Sequence, residues 1–265
     1  MNQDLKNRIP IAIGYVLLIA SLTLSGTWPS ILLLGLFLLG CIVEFVSHQG
    51  TQNRFSLSIG LALSSILLVY VIYKVDNLGL VVFSCLFFLW NSYTTIFKNQ
   101  NLIFSLSTIP AVILYLLIPF ALAISSCLSF KGFPVILLCT FIILWLNDAG
   151  AYFVGRAWGK KKLIPSISPN KTIEGFIGGG LAGLVITFAL QRVFGVLEIS
   201  SWLILAFIIW ISGSLGDIIE SSWKRKHDIK DSGTLLKGHG GMLDRLDSFI
   251  YAIPFVILFI RLLEL

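Results

Sequence analysis

Residues Gly213 to Asp247 read GSLGDIIESSWKRKHDIKDSGTLLKGHGGMLDRLD. Six acidic side chains lie in this stretch, Asp217, Glu220, Asp228, Asp231, Asp244 and Asp247, together with six Lys or Arg. The runs that overlap its two ends, about 202–222 and 247–263, are by contrast apolar over the length that a bilayer core demands of a helix. Charge concentrated in the gap between two such runs and at their facing ends predicts membrane-crossing helices joined by a polar segment at the bilayer surface.

The same alternation extends back along the chain. Of its 265 residues 57% are hydrophobic and 12% charged, with a mean hydropathy of +0.93. A soluble domain carries about twice that charged share. The fold class expected is therefore an all-α integral membrane protein with about nine transmembrane helices, at about 10–25, 29–46, 55–73, 78–97, 102–128, 133–154, 173–194, 202–222 and 247–263. Pro110 and Pro119 are expected to kink the fifth. Lys6 and Arg8 ahead of the first apolar run resemble the start of a signal peptide, but no small-residue cleavage site follows, so the run reads as a first membrane helix. Cys41, Cys85, Cys127 and Cys139 all sit inside apolar runs, without CxxC or Cys/His spacing, and read as small buried hydrophobes.

The net charge of +6 has a topological explanation. With nine spans, fifteen of the nineteen Lys and Arg fall at the N-terminus and in the gaps after helices 2, 4, 6 and 8, leaving Lys74, Lys131, Arg192 and Arg261 for the other side. The rich side is expected to be cytoplasmic, placing the N-terminus inside and the C-terminus outside a cell (inner) membrane. No nucleic-acid partner is expected, because the basic residues mark loops rather than one amphipathic face. With no repeat or linker, 1–265 reads as one polytopic domain, in which 1–132 is mainly scaffold and 133–265 carries the chemistry.

Within the first five helices the only chemically suggestive pair is Glu44 and His48, four residues apart, which reads as a cap of its own helix end. Helix 6 differs. Asp148 lies about 16 residues into it, roughly 24 Å across at 1.5 Å per residue, and Asp217 in helix 8 falls at nearly the same depth. Two carboxylates at one level imply a polar cavity, a cation or a partner there, since each is costly in hydrocarbon. Glu174 opens helix 7, and Asp244 and Asp247 open helix 9, from the same side. Gly175, Gly179 and Gly183, with Gly178 and Gly180 beside them, read as a close-packing face of helix 7, and such a face also makes a homodimer conceivable.

In the opening stretch Asp217, Glu220 and Ser221 share a helical face, and Asp244 and Asp247 are one turn apart. Carboxylates from two helices suit a hard divalent cation, and equally suit helix-end salt bridges to Lys224, Arg225 and Arg245. Gly238-His239-Gly240-Gly241 precedes the last helix, where glycine N–H groups, Lys237 and Arg245 could hold an anion, or form a plain turn. A metal site beside an anion cradle points to phosphate chemistry between a soluble phosphorylated molecule and a lipid.

Ser221-Ser222-Trp223-Lys224-Arg225, then Lys230-Asp231-Ser232-Gly233, then His239-Gly240-Gly241-Met242-Leu243-Asp244-Arg245-Leu246-Asp247 resembles the C-terminal signature of phosphatidate cytidylyltransferases, the CDP-diacylglycerol synthases. Ser168-Pro169-Asn170-Lys171-Thr172-Ile173-Glu174-Gly175 is similar to that family's S-P-x-K-[ST]-x-E-G region. Trp223 stands where an aliphatic residue is usual, and Lys237 where Pro or Gly is usual.

The resemblance implies the conversion of CTP and phosphatidic acid to CDP-diacylglycerol and pyrophosphate, with Mg²⁺ and a second cation such as K⁺. It implies Asp217 and Asp244 as leading metal ligands, with Asp247, Asp148 and Glu220 behind them. Lys224, Arg225, Lys230 and Arg245 are expected to bind phosphate, His239, Gly240 and Gly241 the triphosphate, and Lys171, Ser168 and Asn170 a phosphate on the opposite wall; Asp231 is expected to bind metal or orient a lysine. The alternatives are a CTP-dependent polyprenol or phytol kinase, which would release CDP, and a secondary transporter of a phosphorylated solute. A CDP-alcohol phosphotransferase is disfavoured, its D-x-x-D-G-x-x-A-R pattern being absent.

Overall fold

In hydrocarbon only a helix can satisfy every backbone N–H and C=O within one segment, and the apolar runs accordingly fold as helices. The computed structural model of the chain describes residues 3–48, 54–74, 77–229, 232–233 and 240–263. First come α1 (Gln3–Leu24), α2 (Thr27–His48), α3 (Arg54–Lys74) and α4 (Leu78–Lys98). A broken passage follows, made of α5 (Leu102–Ser105), α6 (Thr108–Val112), a π turn (Ile113–Leu117) and α7 (Ile118–Ser129). Next are α8 (Phe133–Trp158), the strands β1 (Lys162–Ile164) and β2 (Ser168–Thr172), α9 (Ile173–Phe194), α10 (Ile199–Lys226) and α11 (Leu243–Leu262).

Among the described residues seven passages are long and apolar enough to cross a membrane, with α6 through α7 counted as one. The apolar part of α1 runs only from Ala12 to Leu24, and α11 carries Asp244, Arg245, Asp247 and Arg261. The chain is thus an α-helical membrane protein. The antiparallel β1–β2 pair, with Lys162 opposite Thr172 and Ile164 opposite Ser168, is an addition that the sequence reading does not anticipate.

The expected kinks have a specific form. The helix stops between Ser105 and Thr108, and ahead of Pro119 it widens into the π turn. Pro119 has no N–H to offer Tyr115 and its ring crowds that carbonyl, while the N–H of Ile118 reaches back to Ile113 O.

Polar side chains reveal which helix ends lie together. The Arg261 guanidinium donates to Asn77 Oδ1 (3.0 Å), and the Asn77 amide donates to Ile72 O (3.0 Å) and Ser125 Oγ (3.5 Å), which gathers the ends of α3, α7 and α11 with the start of α4. At the opposite end the Asn101 amide donates to Ile219 O (3.0 Å), and Glu44 of α2 bonds the first residues of α11.

Helices α8 and α9 touch at backbone distance. A Cβ placed on Gly179 would lie 2.5 Å from Asn147 O, one on Gly150 would lie 2.8 Å from Ala182 Cβ, and one on Gly180 would enter the Trp210 ring. The glycine face of α9 is therefore used inside the chain, against α8 and α10, and lends no support to a homodimer.

Candidate active site

The Ser168 to Gly175 segment divides into residues that build the hairpin and one that faces the site. Thr172 caps α9, its Oγ1 accepting from Gly175 N (3.1 Å). Glu174, in the first turn, accepts from the backbone of Lys160 (3.0 Å) and Lys161 (3.2 Å), and Ile173 N donates to Lys161 O (2.9 Å). Tied in this way, β2 presents the Lys171 ammonium to Asp217 of α10, with which it forms an ion pair.

Between α8, the hairpin, α9 and α10 lies a cavity of about 530 Å³. Asp148, Asn170, Lys171 and Asp217 line it, as the shared depth of the two aspartates predicts. Ser168, paired with Ile164 at the start of β2, is not among the lining residues. Arg156 lines the cavity and donates to Tyr152 Oη (3.1 Å); the sequence reading counts it only as a topology signal, although its four-residue spacing from Tyr152 marks a shared face.

A second cluster joins α10 to α11. Lys224 Nζ reaches Glu220 Oε2 (2.5 Å) and Asp244 Oδ1 (2.9 Å), and Glu220 is wholly buried. Asp217, Glu220 and Ser221 are expected on one face, but they diverge. Ser221 Oγ donates to Asp217 Oδ1 (3.2 Å) on the cavity side, whereas Glu220 turns under Lys224 toward α11. Three residues turn a helix by about 300°, leaving the two acids some 60° apart, enough to fall on opposite sides of a neighbouring helix. Asp247 is buried, with Oδ1 accepting from Ser248 N (2.6 Å), and its backbone packs on α10, where a Cβ on Gly216 would lie 2.7 Å from Asp247 O.

The amino end of α11 corrects one expectation and bears on another. Asp244 Oδ2 accepts from Gly241 N (2.7 Å) and Ser232 N (2.8 Å), while Glu44 takes Met242 N on Oε1 (2.8 Å) and Leu243 N on Oε2 (2.9 Å). Of the N–H groups expected to cradle a nucleotide phosphate, that of Gly241 is thus held by the chain's own Asp244. Gly240, at φ +79°, and Gly241 are needed because a Cβ on either would strike Asp244 or Glu44 respectively. Glu44 caps α11, and not its own helix as the sequence reading expects, because its carboxylate meets two unpaired N–H groups at the start of α11 and the Ser232 hydroxyl, whereas the carboxyl end of α2 has no free donors to offer it.

Arg225 is exposed at the end of α10, and Arg245 is exposed in the first turn of α11, within electrostatic reach of Asp148. Lys230, Asp231, Lys237 and His239 lie outside the described residues, as does the side chain of His48. Trp223 is fully buried, stacked on Phe45 (ring centroids 5.8 Å apart) and tilted against Phe104 (5.3 Å), and so packs the end of α10 onto α2 and α5.

Five carboxylates, Asp148, Asp217, Glu220, Asp244 and Asp247, thus stand near Lys171, Lys224 and Arg245. This excess of negative charge, part of it buried, suits a hard cation with oxygen ligands. Among the described residues no three His, Cys, Asp or Glu gather at metal-holding distance. Mg²⁺ does not require that, since it takes one or two carboxylates and completes its shell with water and substrate phosphate.

Residues 6–263 match the family model described as the cytidylyltransferase family. Similar curated proteins include a phosphatidate cytidylyltransferase of Staphylococcus epidermidis, 51% identical over 120 residues, covering 44% of this chain and 46% of the relative. Another is the phosphatidate cytidylyltransferase of Bacillus subtilis, 50% identical over 117 residues and covering 43% of each. The aligned stretch thus spans a little under half the length of these relatives.

Proposed function

The chain belongs to the cytidylyltransferase family, and from that premise we propose that it transfers the cytidylyl group of CTP to phosphatidic acid, giving CDP-diacylglycerol and pyrophosphate in phospholipid biosynthesis. The observation that carries this reading is the acidic, lysine-bearing cavity at the ends of α8 and α10, where a charged headgroup and a nucleotide can meet.

In the reaction a phosphate oxygen of the lipid attacks the α-phosphorus of CTP. A new P–O bond forms, the bond from the α-phosphorus to the bridging oxygen breaks, and pyrophosphate leaves. The lipid phosphate is already an anionic nucleophile, so no side chain has to remove a proton. What the protein supplies is position and electrostatics. Lys171 binds a substrate phosphate at the cavity wall, with Asn170 beside it, and Asp217 holds that ammonium in place. Lys224, Arg225 and Arg245 contribute positive charge at the α10–α11 side. Asp217, Asp244 and Asp247, with Asp148 and Glu220 near them, are the residues that would hold Mg²⁺. Held there, Mg²⁺ would supply neutralisation of charge on the transferring phosphates.

In this proposal all nine helical passages cross the membrane, with the site end and the N-terminus on the cytoplasmic face. The Lys and Arg excess at that end supports the orientation.

Incubating the purified protein with CTP, phosphatidic acid and Mg²⁺ tests the reaction. Release of pyrophosphate with formation of a CDP-lipid is expected. In a second mixture with a polyprenol or phytol in place of phosphatidic acid, release of CDP with a phosphorylated alcohol would establish a kinase instead, and no CTP turnover in either mixture would remove the enzymatic reading.

A further inference from the structure

Glu44 stands apart from every residue assigned above. It belongs to α2, in the half of the chain read as scaffold, and about 200 positions separate it from its partners in α11. Yet it is buried, and its two oxygens are taken up by Met242 N, Leu243 N and the hydroxyl of Ser232 (3.3 Å). Ser232 connects this carboxylate to the next one: its Oγ accepts from Asp244 N (3.3 Å) and its own N–H donates to Asp244 Oδ2 (2.8 Å). Two glycines make room for the arrangement. A Cβ on Gly233 would lie 2.6 Å from Glu44 Oε1, and one on Gly241 would overlap Oε2.

From this geometry we infer that Glu44 is a positioning residue for the transfer reaction: it fixes the amino end of α11, and with it Asp244 and Asp247, against the end of α10. The inference rests on the cytidylyl transfer proposed above. The first turn of a helix has four N–H groups without intrahelical partners, and here a carboxylate from another helix satisfies two of them. Without it, α11 would lose its tether to α2, and the carboxylate pair one turn apart would lose its fixed distance from Lys224. A glutamine cannot substitute. It offers one acceptor oxygen, and its NH₂ group would face a backbone N–H, donor against donor.

The experiment compares wild type, Glu44→Gln and Glu44→Asp, each purified in detergent, by pyrophosphate release with kcat normalised to the folded fraction. For Glu44→Gln, kcat is expected to fall roughly 10- to 100-fold, the usual scale for a group that orients a ligand-bearing carboxylate. Its KM for CTP is expected to stay within about threefold, because displaced carboxylates weaken transition-state contacts more than substrate binding. A folded Glu44→Gln enzyme with wild-type kcat would overturn the inference, since a purely structural role changes thermal stability and yield alone. Should Glu44→Gln fail to fold, Glu44→Asp decides: it keeps the charge and both acceptor oxygens but draws them back by one methylene from Met242 N and Leu243 N. A kcat lowered severalfold in that folded variant upholds the inference, and an unchanged one overturns it. Wild type that releases no pyrophosphate would overturn the transfer reading itself and this inference with it.

Discussion

Lys171 and Asp217 are each about one-third exposed, and their ion pair closes the gap between the hairpin and α10. A pair of that exposure adds little to stability, roughly 0–1 kcal/mol, so its removal should be felt in turnover. In Lys171→Met, pyrophosphate release is expected to fall by about 100-fold or more, the scale of losing one preorganised charge on a transferring group, while the thermal midpoint barely moves. Asp217→Asn in the Lys171→Met background then separates two roles. If the aspartate serves only to hold the lysine, the double variant is no slower than Lys171→Met; if it also holds a cation, a further loss is measured. The sequence makes half of this pair legible. Asp217 is conspicuous as an acid inside an apolar run, and its depth matches that of Asp148. Glu44 is just as conspicuous, but its partners are backbone N–H groups that have no sequence signature. Only the fold places them beside it.

For the helices, spacing in the sequence is a reliable guide wherever one physical demand dominates. The expected 173–194 and 78–97 match α9 and α4 to within a residue because an apolar run bounded by charge leaves a helix no other limits. The hairpin escapes notice because Lys162–Ile164 and Ser168–Thr172 are too short to show a strand pattern, and their pairing depends on Glu174 and Thr172 fixing the start of α9. The glycines of α9 are legible as a packing face. Gly179→Val is expected to destabilise the protein by about 1–3 kcal/mol or more, because the added carbons meet the Asn147 carbonyl and force α8 from α9. Gly60→Ala on α3, where a Cβ meets nothing within 4 Å, is expected to be neutral or to stabilise by up to about 1 kcal/mol. Thermal unfolding in detergent of the two variants checks the contrast.

At the scale of the whole molecule, Arg261, Asn77 and Ser125 lie at one end, and Glu44, Asn101, Ile219 and Leu243 at the other. That division coincides with the one drawn by counting Lys and Arg, a count that needs no knowledge of packing. With the proposed orientation, a single cysteine placed at Ser166 in the hairpin turn should be shielded from a membrane-impermeant thiol reagent in intact cells. One placed at Lys131, between α7 and α8, should react. The opposite pattern would invert the topology. The four native cysteines are all buried and give little background.

Asp244 Oδ2 accepts from Ser232 and from Gly241, so the chain departs from one oxygen atom and comes back to it. Such a junction behaves as a clasp. Both N–H groups share one acceptor atom, so a change that displaces Asp244 Oδ2 releases Ser232 and Gly241 together rather than one at a time.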